Sequence, residues 1–182
     1  MLECNGDKLI NERLTSERLT NEQLTVKAEK TAETVIEKLK SLSLKLVLAE
    51  SCTAGLVSGF LAETSGASSV LWGSFVCYTQ EAKVQMLGLN NDRLTERGLV
   101  NRETACSMAE GALEKSGADI SAAVTGLAGP GGDGRVPVGT VWIAAARRNM
   151  ETEAKEFIFT GERNNVRMQA VIAVLEEILR RL

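Results

Sequence analysis

LKLVLAESCTAGL, residues 44–56, changes its hydrophobic period part-way through. The first half, dense in Leu and Val, reads as a buried strand over residues 44–49. After Glu50-Ser51-Cys52-Thr53 the apolar residues Leu56, Val57, Phe60 and Leu61 fall at helical spacing. The junction is a tight strand-to-helix turn that Ser51 or Thr53 can cap. Such a turn sets a small hydroxyl or thiol beside unpaired backbone N–H groups at the positive end of a helix dipole. Those donors suit a phosphate, or the oxyanion of an acyl-transfer intermediate. An ordinary capped connection carries the same signature, so the choice rests on the remainder of the chain.

Upstream, residues 11–25 repeat a five-residue unit, NERLT-SERLT-NEQLT. Its leucines at 14, 19 and 24 do not form one helical stripe, because five residues overshoot a turn. Residues 1–25 read as an appended extension, and three such units are too few for a solenoid. A helix follows over residues 26–42, with Val26, Ala32, Val35, Ile36 and Leu39 on its inner side.

Downstream, VLWGSFVCY at 70–78 is a second strand, bulged at Gly73, and Thr79 caps a short helix closed by Gly88. NNDRLTERGLV is a connection into a helix over 102–115, where Ala105, Met108, Ala109 and Leu113 face inward. Strands at 119–125, 140–146 and 155–160 complete the sheet, the last two joined by a hairpin-like RNMET. Asn164 or Asn165 opens a final helix to Leu182. This alternation predicts an α/β protein: a three-layer α/β/α sandwich with a mixed, mostly parallel sheet of about five strands.

The 182 residues are 44% hydrophobic and 25% charged with net charge −3, enough for one buried core. No basic block points to nucleic acid, and no run is long enough for a bilayer span or a signal peptide. Four scattered cysteines without a C-x-x-C pair suit reduced thiols in a cytoplasm. The histidine count is zero, which removes Ser-His and Cys-His pairs and any His-based metal site within the chain. A hydroxyl nucleophile here needs lysine, tyrosine or a carboxylate to activate it.

Three loops follow strand C-termini, where open α/β sheets bind ligands. In the first, Ser51 and Cys52 compete as nucleophile, and a helix N-terminus would lower the thiol's pKa. The second, CYTQEAK, holds Tyr78, the only tyrosine, and Lys83 about one helical turn on. Both can reach Ser51 if the two strand ends are neighbours. A lysine base must be neutral near pH 7, so its pKa must fall from roughly 10.4 to about 7–8. The ordinary fate of a helix lysine is solvation, and that of a strand-end tyrosine is packing. The third loop, GLAGPGGDGRVPVG, satisfies G-x-G-x-x-G only formally, since a strand rather than a helix follows it. It remains a loop whose backbone can approach a ligand closely, or simply a glycine-rich connection. Arg163, ahead of the last helix, could meet a phosphate or carboxylate bidentately, or be solvated.

AESCTAGL, SFVCYTQEAKVQMLGL, TGLAGPGG, PVGTVWIA and FTGERNNVRMQA occur in this order between residues 49 and 170. Together they resemble the CinA C-terminal family and its stand-alone nicotinamide-nucleotide amidases of the PncC type. The likeness covers residues 31–182, which divides the chain into an extension at 1–25 and an amidase-like domain at 26–182. It implies deamidation of nicotinamide mononucleotide to nicotinate mononucleotide and ammonia, with neither metal nor other cofactor, by a cytoplasmic homodimer. The family's serine nucleophile falls on Ser51, its lysine base on Lys83 and its tyrosine on Tyr78. Its substrate pocket falls on Glu50, Thr53, Gly55, Thr125, Gly126 and Arg163, with backbone N–H groups of residues 52–55 as oxyanion donors. Two other readings share these residues. One is a non-catalytic module that binds a mononucleotide or a partner, and the other is an amidase for a different small amide.

Overall fold

Five strands form one sheet in the order β2-β1-β3-β4-β5 in a computed structural model that describes residues 19–182. Most of the repeat extension, residues 1–18, lies outside the described residues. The strands are β1 (Leu46–Glu50), β2 (Leu71–Val76), β3 (Ile120–Gly126), β4 (Thr140–Arg147) and β5 (Glu153–Ile158). β1 pairs in parallel with both β2 and β3, whereas β4 runs antiparallel to β3 and β5. Four of these five strands thus share one direction, and the sheet is mixed as the alternation of elements predicts. The bulge also falls where expected: the β1–β2 register steps from Leu46↔Leu71 to Val47↔Gly73.

The two faces of β1 separate two apolar layers. Leu46 and Leu48 pack under α1 (Asn21–Leu42), α2 (Leu56–Glu63) and α6 (Arg163–Arg181). Val47 and Ala49 face the layer of α3 (Gln80–Leu87), α4 (Asn91–Arg97) and α5 (Arg102–Ser116). A strand's period of two sends neighbouring residues to opposite faces, which explains this split and the α/β/α sandwich that results. Among the described residues, no helix is long and apolar enough to cross a membrane.

Several boundaries differ from the sequence reading, each for a local reason. α1 begins at Asn21, inside the third repeat unit, because Thr20 and Gln23 form a reciprocal capping box. Its buried stripe is Leu24, Ala28, Ala32, Val35, Ile36 and Leu39, and Val26, expected inside, is exposed. NNDRLTERGLV is no plain connection: Asn90 caps the two-turn helix α4 through the Arg93 N–H. α6 opens at Arg163 with Glu162 at its N-cap, ahead of both asparagines proposed for that role.

The strand order reverses between β1 and β3, since the chain leaves β1 toward β2 and later returns on the other side. Open α/β sheets hold ligands outside the strand ends at such a point. Ser51 follows β1 there, and Thr125 and Gly126 end β3 beside it.

Candidate active site

The turn after β1 is built around Glu50, whose side chain is 1% exposed. Its carboxylate lies on the α2 side and accepts from the N–H groups of Gly55, Val57 and Ser58. It also accepts from Thr53 Oγ1 at 2.8 Å and Ser74 Oγ at 3.1 Å. The first turn of α2 is therefore satisfied by this carboxylate, and neither Ser51 nor Thr53 caps it. A negative group at a helix N-terminus gains from both the orphan donors and the dipole. Ala54 and Gly55 close the turn in left-handed conformations, at φ 52° and 92°. Glu50→Ala is expected to cost about 3 kcal/mol, because several buried donors lose their acceptor at once. Urea unfolding would read it, and an unchanged midpoint would show that the carboxylate does not hold the turn.

The next residue faces the other layer. Ser51 Oγ lies 2.9 Å from Lys83 Nζ. Lys83 is 0% exposed, although it sits in the second turn of a short polar helix. Thr79 caps that helix through Ala82 N–H and Gly88 closes it, which fixes the rotation that turns Lys83 inward. Nζ also donates to the Cys77 carbonyl at 2.8 Å and reaches the Tyr78 carbonyl at 3.5 Å. Burial lowers the lysine's pKa, opposed by the buried thiols of Cys77 and Cys52 nearby.

Cys52 stands differently. Its thiol is buried, and burial pushes its pKa up to about 12 despite the turn's position at a helix start. The expected lowering by the helix N-terminus is reversed, because the loss of solvent outweighs the field of the turn.

A cleft of about 490 Å³ opens above this turn, lined by Ser51, Tyr78, Thr125, Gly126, Arg163 and the glycine loop. Tyr78 does not turn its hydroxyl to Ser51: the ring is half-exposed, and the hydroxyl accepts from Arg163 Nη2 at 2.9 Å. Arg163 also donates to the Gly129 carbonyl, so one guanidinium ties the tyrosine to the glycine loop. Thr125 Oγ1 donates to Leu99 O at 2.7 Å. A Cβ on Gly126 would lie 2.7 Å from Val141 Cγ2, so glycine is what lets β3 end against β4 here. Arg135 straps the loop to α4 by donating to the carbonyls of Thr95 and Glu96. Glu50, Thr53 and Gly55 do not line the cleft. They form the turn beneath it, with both oxygens of Glu50 already engaged by protein donors.

Of the four N–H groups expected to hold an oxyanion, two are committed elsewhere. Ala54 N–H donates to Ser51 O and Gly55 N–H to Glu50. Those of Cys52 and Thr53 meet no acceptor on another described residue. The sequence reading also missed Arg167, which donates from Nε to Cys52 O and from Nη2 to Thr53 O. Its spacing of four from Arg163 on one helix was the available signal.

Compared with known families, residues 28–182 match the CinA C-terminal domain. The chain belongs to the CinA C-terminal domain family. A CinA-like protein of Geotalea daltonii is 41% identical over 155 residues, covering 84% of this chain and 37% of that protein. One of Geobacter sulfurreducens is 37% identical over 179 residues, covering 97% and 42%. The chain thus spans about two-fifths of the length of these curated relatives. Among solved structures, the competence/damage inducible protein CihA of Agrobacterium tumefaciens aligns with TM-score 0.82 at 40% identity, over 85% of this chain and 94% of that one. A CinA superfamily protein of Escherichia coli aligns with TM-score 0.82 at 30% identity, over 91% and 94%.

Proposed function

We propose that this CinA-family domain is a serine amidohydrolase that deamidates nicotinamide mononucleotide through a Ser51–Lys83 pair. The observation that carries the reading is a fully buried lysine amine 2.9 Å from a serine hydroxyl on the floor of a cleft. A neutral amine has two N–H donors and one lone pair. The carbonyls of Cys77 and Tyr78 can take the donors, which leaves the lone pair for the Ser51 proton.

The steps then balance. Ser51 Oγ adds to the carboxamide carbon as its proton passes to Lys83 Nζ. The carbonyl oxygen becomes an oxyanion held by the N–H of Cys52, which lines the cleft. The C–N bond breaks, Lys83 returns the proton to the leaving nitrogen, and ammonia departs. Water, deprotonated by the same amine, attacks the acyl carbon; the C–Oγ bond breaks, Lys83 returns that proton to Ser51 Oγ, and the acid leaves as its carboxylate, its own proton going to solvent. Tyr78 serves here through its backbone carbonyl on Lys83 and through its ring on the cleft wall.

Arg163 stands at the cleft with its guanidinium bound, among the described residues, to a phenol and a carbonyl, so it is suited to receive a phosphate. Arg163→Ala is expected to raise KM for the nucleotide about 10- to 100-fold, as loss of a charge-assisted contact does, with a smaller change in kcat. Ammonia release from nicotinamide mononucleotide, beside nicotinamide riboside and glutamine, tests the function and the phosphate requirement together. Equal rates on all three would make this an amidase for another small amide. Calorimetric binding without ammonia would make it a binding module.

A further inference from the structure

Arg167 has no part in the chemistry described so far. It projects from α6 four residues after Arg163, yet it does not line the cleft. Its guanidinium approaches the turn from behind and bridges two successive carbonyls, Cys52 O at 3.1 Å and Thr53 O at 2.9 Å. Their value lies in what each peptide plane carries at its other end.

A trans peptide holds its C=O and the following N–H antiparallel. Fixing Thr53 O toward α6 therefore aims the Ala54 N–H away from α6. That N–H donates to Ser51 O at 3.0 Å, and the Ser51–Cys52 peptide so held orients the Cys52 N–H. Among the described residues the Cys52 N–H meets no protein acceptor, and Cys52 lines the cleft. Ala54 just beyond is held at φ 52°, a conformation that costs a non-glycine residue about 1 kcal/mol or more. Left to itself, the 53–54 peptide, which Arg167 holds through Thr53 O, has a reason to rotate.

We infer that Arg167 is a positioning residue that sets the oxyanion hole, holding the Thr53–Ala54 peptide and through it the Cys52 N–H at the point where Ser51 attacks. The inference rests on the amidase reading and adds a residue to it. Arg163 acts on the ligand from within the cleft, whereas Arg167 acts on the backbone from outside it. The two arginines should therefore separate kinetically, Arg163 in KM and Arg167 in kcat.

The test compares wild type, R167A and R167K for ammonia release from nicotinamide mononucleotide, with a thermal melt of each. Loss of an aimed oxyanion donor predicts a kcat lower by about 10²–10³-fold in R167A at little-changed KM. R167K should be intermediate, because one ammonium cannot span both carbonyls in the planar fork geometry. Low-millimolar guanidinium chloride should restore part of the kcat of R167A and none of R167K, a response that a general loss of folded protein would not give. Wild-type kcat in either folded variant, or a change in KM alone, would overturn the inference and leave the amidase reading standing. If R167A fails to fold, R167K decides by the same two outcomes. No ammonia from wild type would overturn the amidase reading, and this inference with it.

Discussion

Lys83→Met is expected to lower ammonia release by about 10³-fold, the scale of a lost general base. It should also change how stability depends on pH. Burial lowers the folded-state pKa of Lys83 below its ordinary 10.5. Between the two values the unfolded chain binds more protons than the folded one, so wild-type stability rises with pH across that window. Below the lowered pKa both states carry the proton, and the folded state bears the full penalty of burying it, about 1.4 kcal/mol for each unit of lowering. Methionine carries no such penalty, though it leaves the Cys77 carbonyl without the donor it has in the wild type. The stability difference should therefore shift in favour of wild type as pH climbs toward 10.5. Urea unfolding of both proteins from pH 6 to 10.5 measures it, and a difference flat in pH would place the amine in water-like surroundings. The same lowered pKa predicts that wild-type kcat rises with pH as Lys83 loses its proton.

Ser51→Ala is expected to reduce turnover by about 10⁴-fold or more, since no other group takes over the attack. Cys52→Ala should retain most of the activity. The thiol has its pKa pushed up to about 12 by burial, so almost none is thiolate near neutrality. Its backbone N–H, which the mechanism uses, survives the substitution. Mass spectrometry of wild type quenched during turnover should find the acyl adduct on a peptide containing Ser51, and an adduct on Cys52 would reassign the nucleophile. The pair of variants separates the two neighbours that the sequence leaves in competition.

Much of the architecture was legible because it depends on periodicity. The continuous apolar run ending at Glu50 and the helical spacing from Leu56 onward locate a strand, a turn and a helix, and a strand buried on both faces implies a layer on each side of β1. Boundaries that depend on side-chain reach were not legible. Thr20 and Gln23 extend α1 backward through a reciprocal cap, and Glu50 displaces Ser51 and Thr53 as the cap of α2. A glutamate at a strand's end normally reads as a surface charge. It becomes a cap only when the turn folds back far enough to bring three amide donors onto it.

The absence of histidine is a property of composition, so the sequence alone restricts any hydroxyl nucleophile here to activation by an amine, a phenol or a carboxylate. The family match spans Ser51, Tyr78 and Lys83. Which of these meet was decided by tertiary packing. Lys83 lies in QEAKVQML, a polar helix from which a lysine would ordinarily point outward, and its burial comes from docking α3 against α5 and the end of β1. The same packing sends the Tyr78 hydroxyl to Arg163, buries the Cys52 thiol and brings Arg167 behind the turn from 114 residues away. Periodicity and composition are local and additive along the chain. Protonation state and the aim of an N–H depend on what lies across space, and that exists only once the layers have closed.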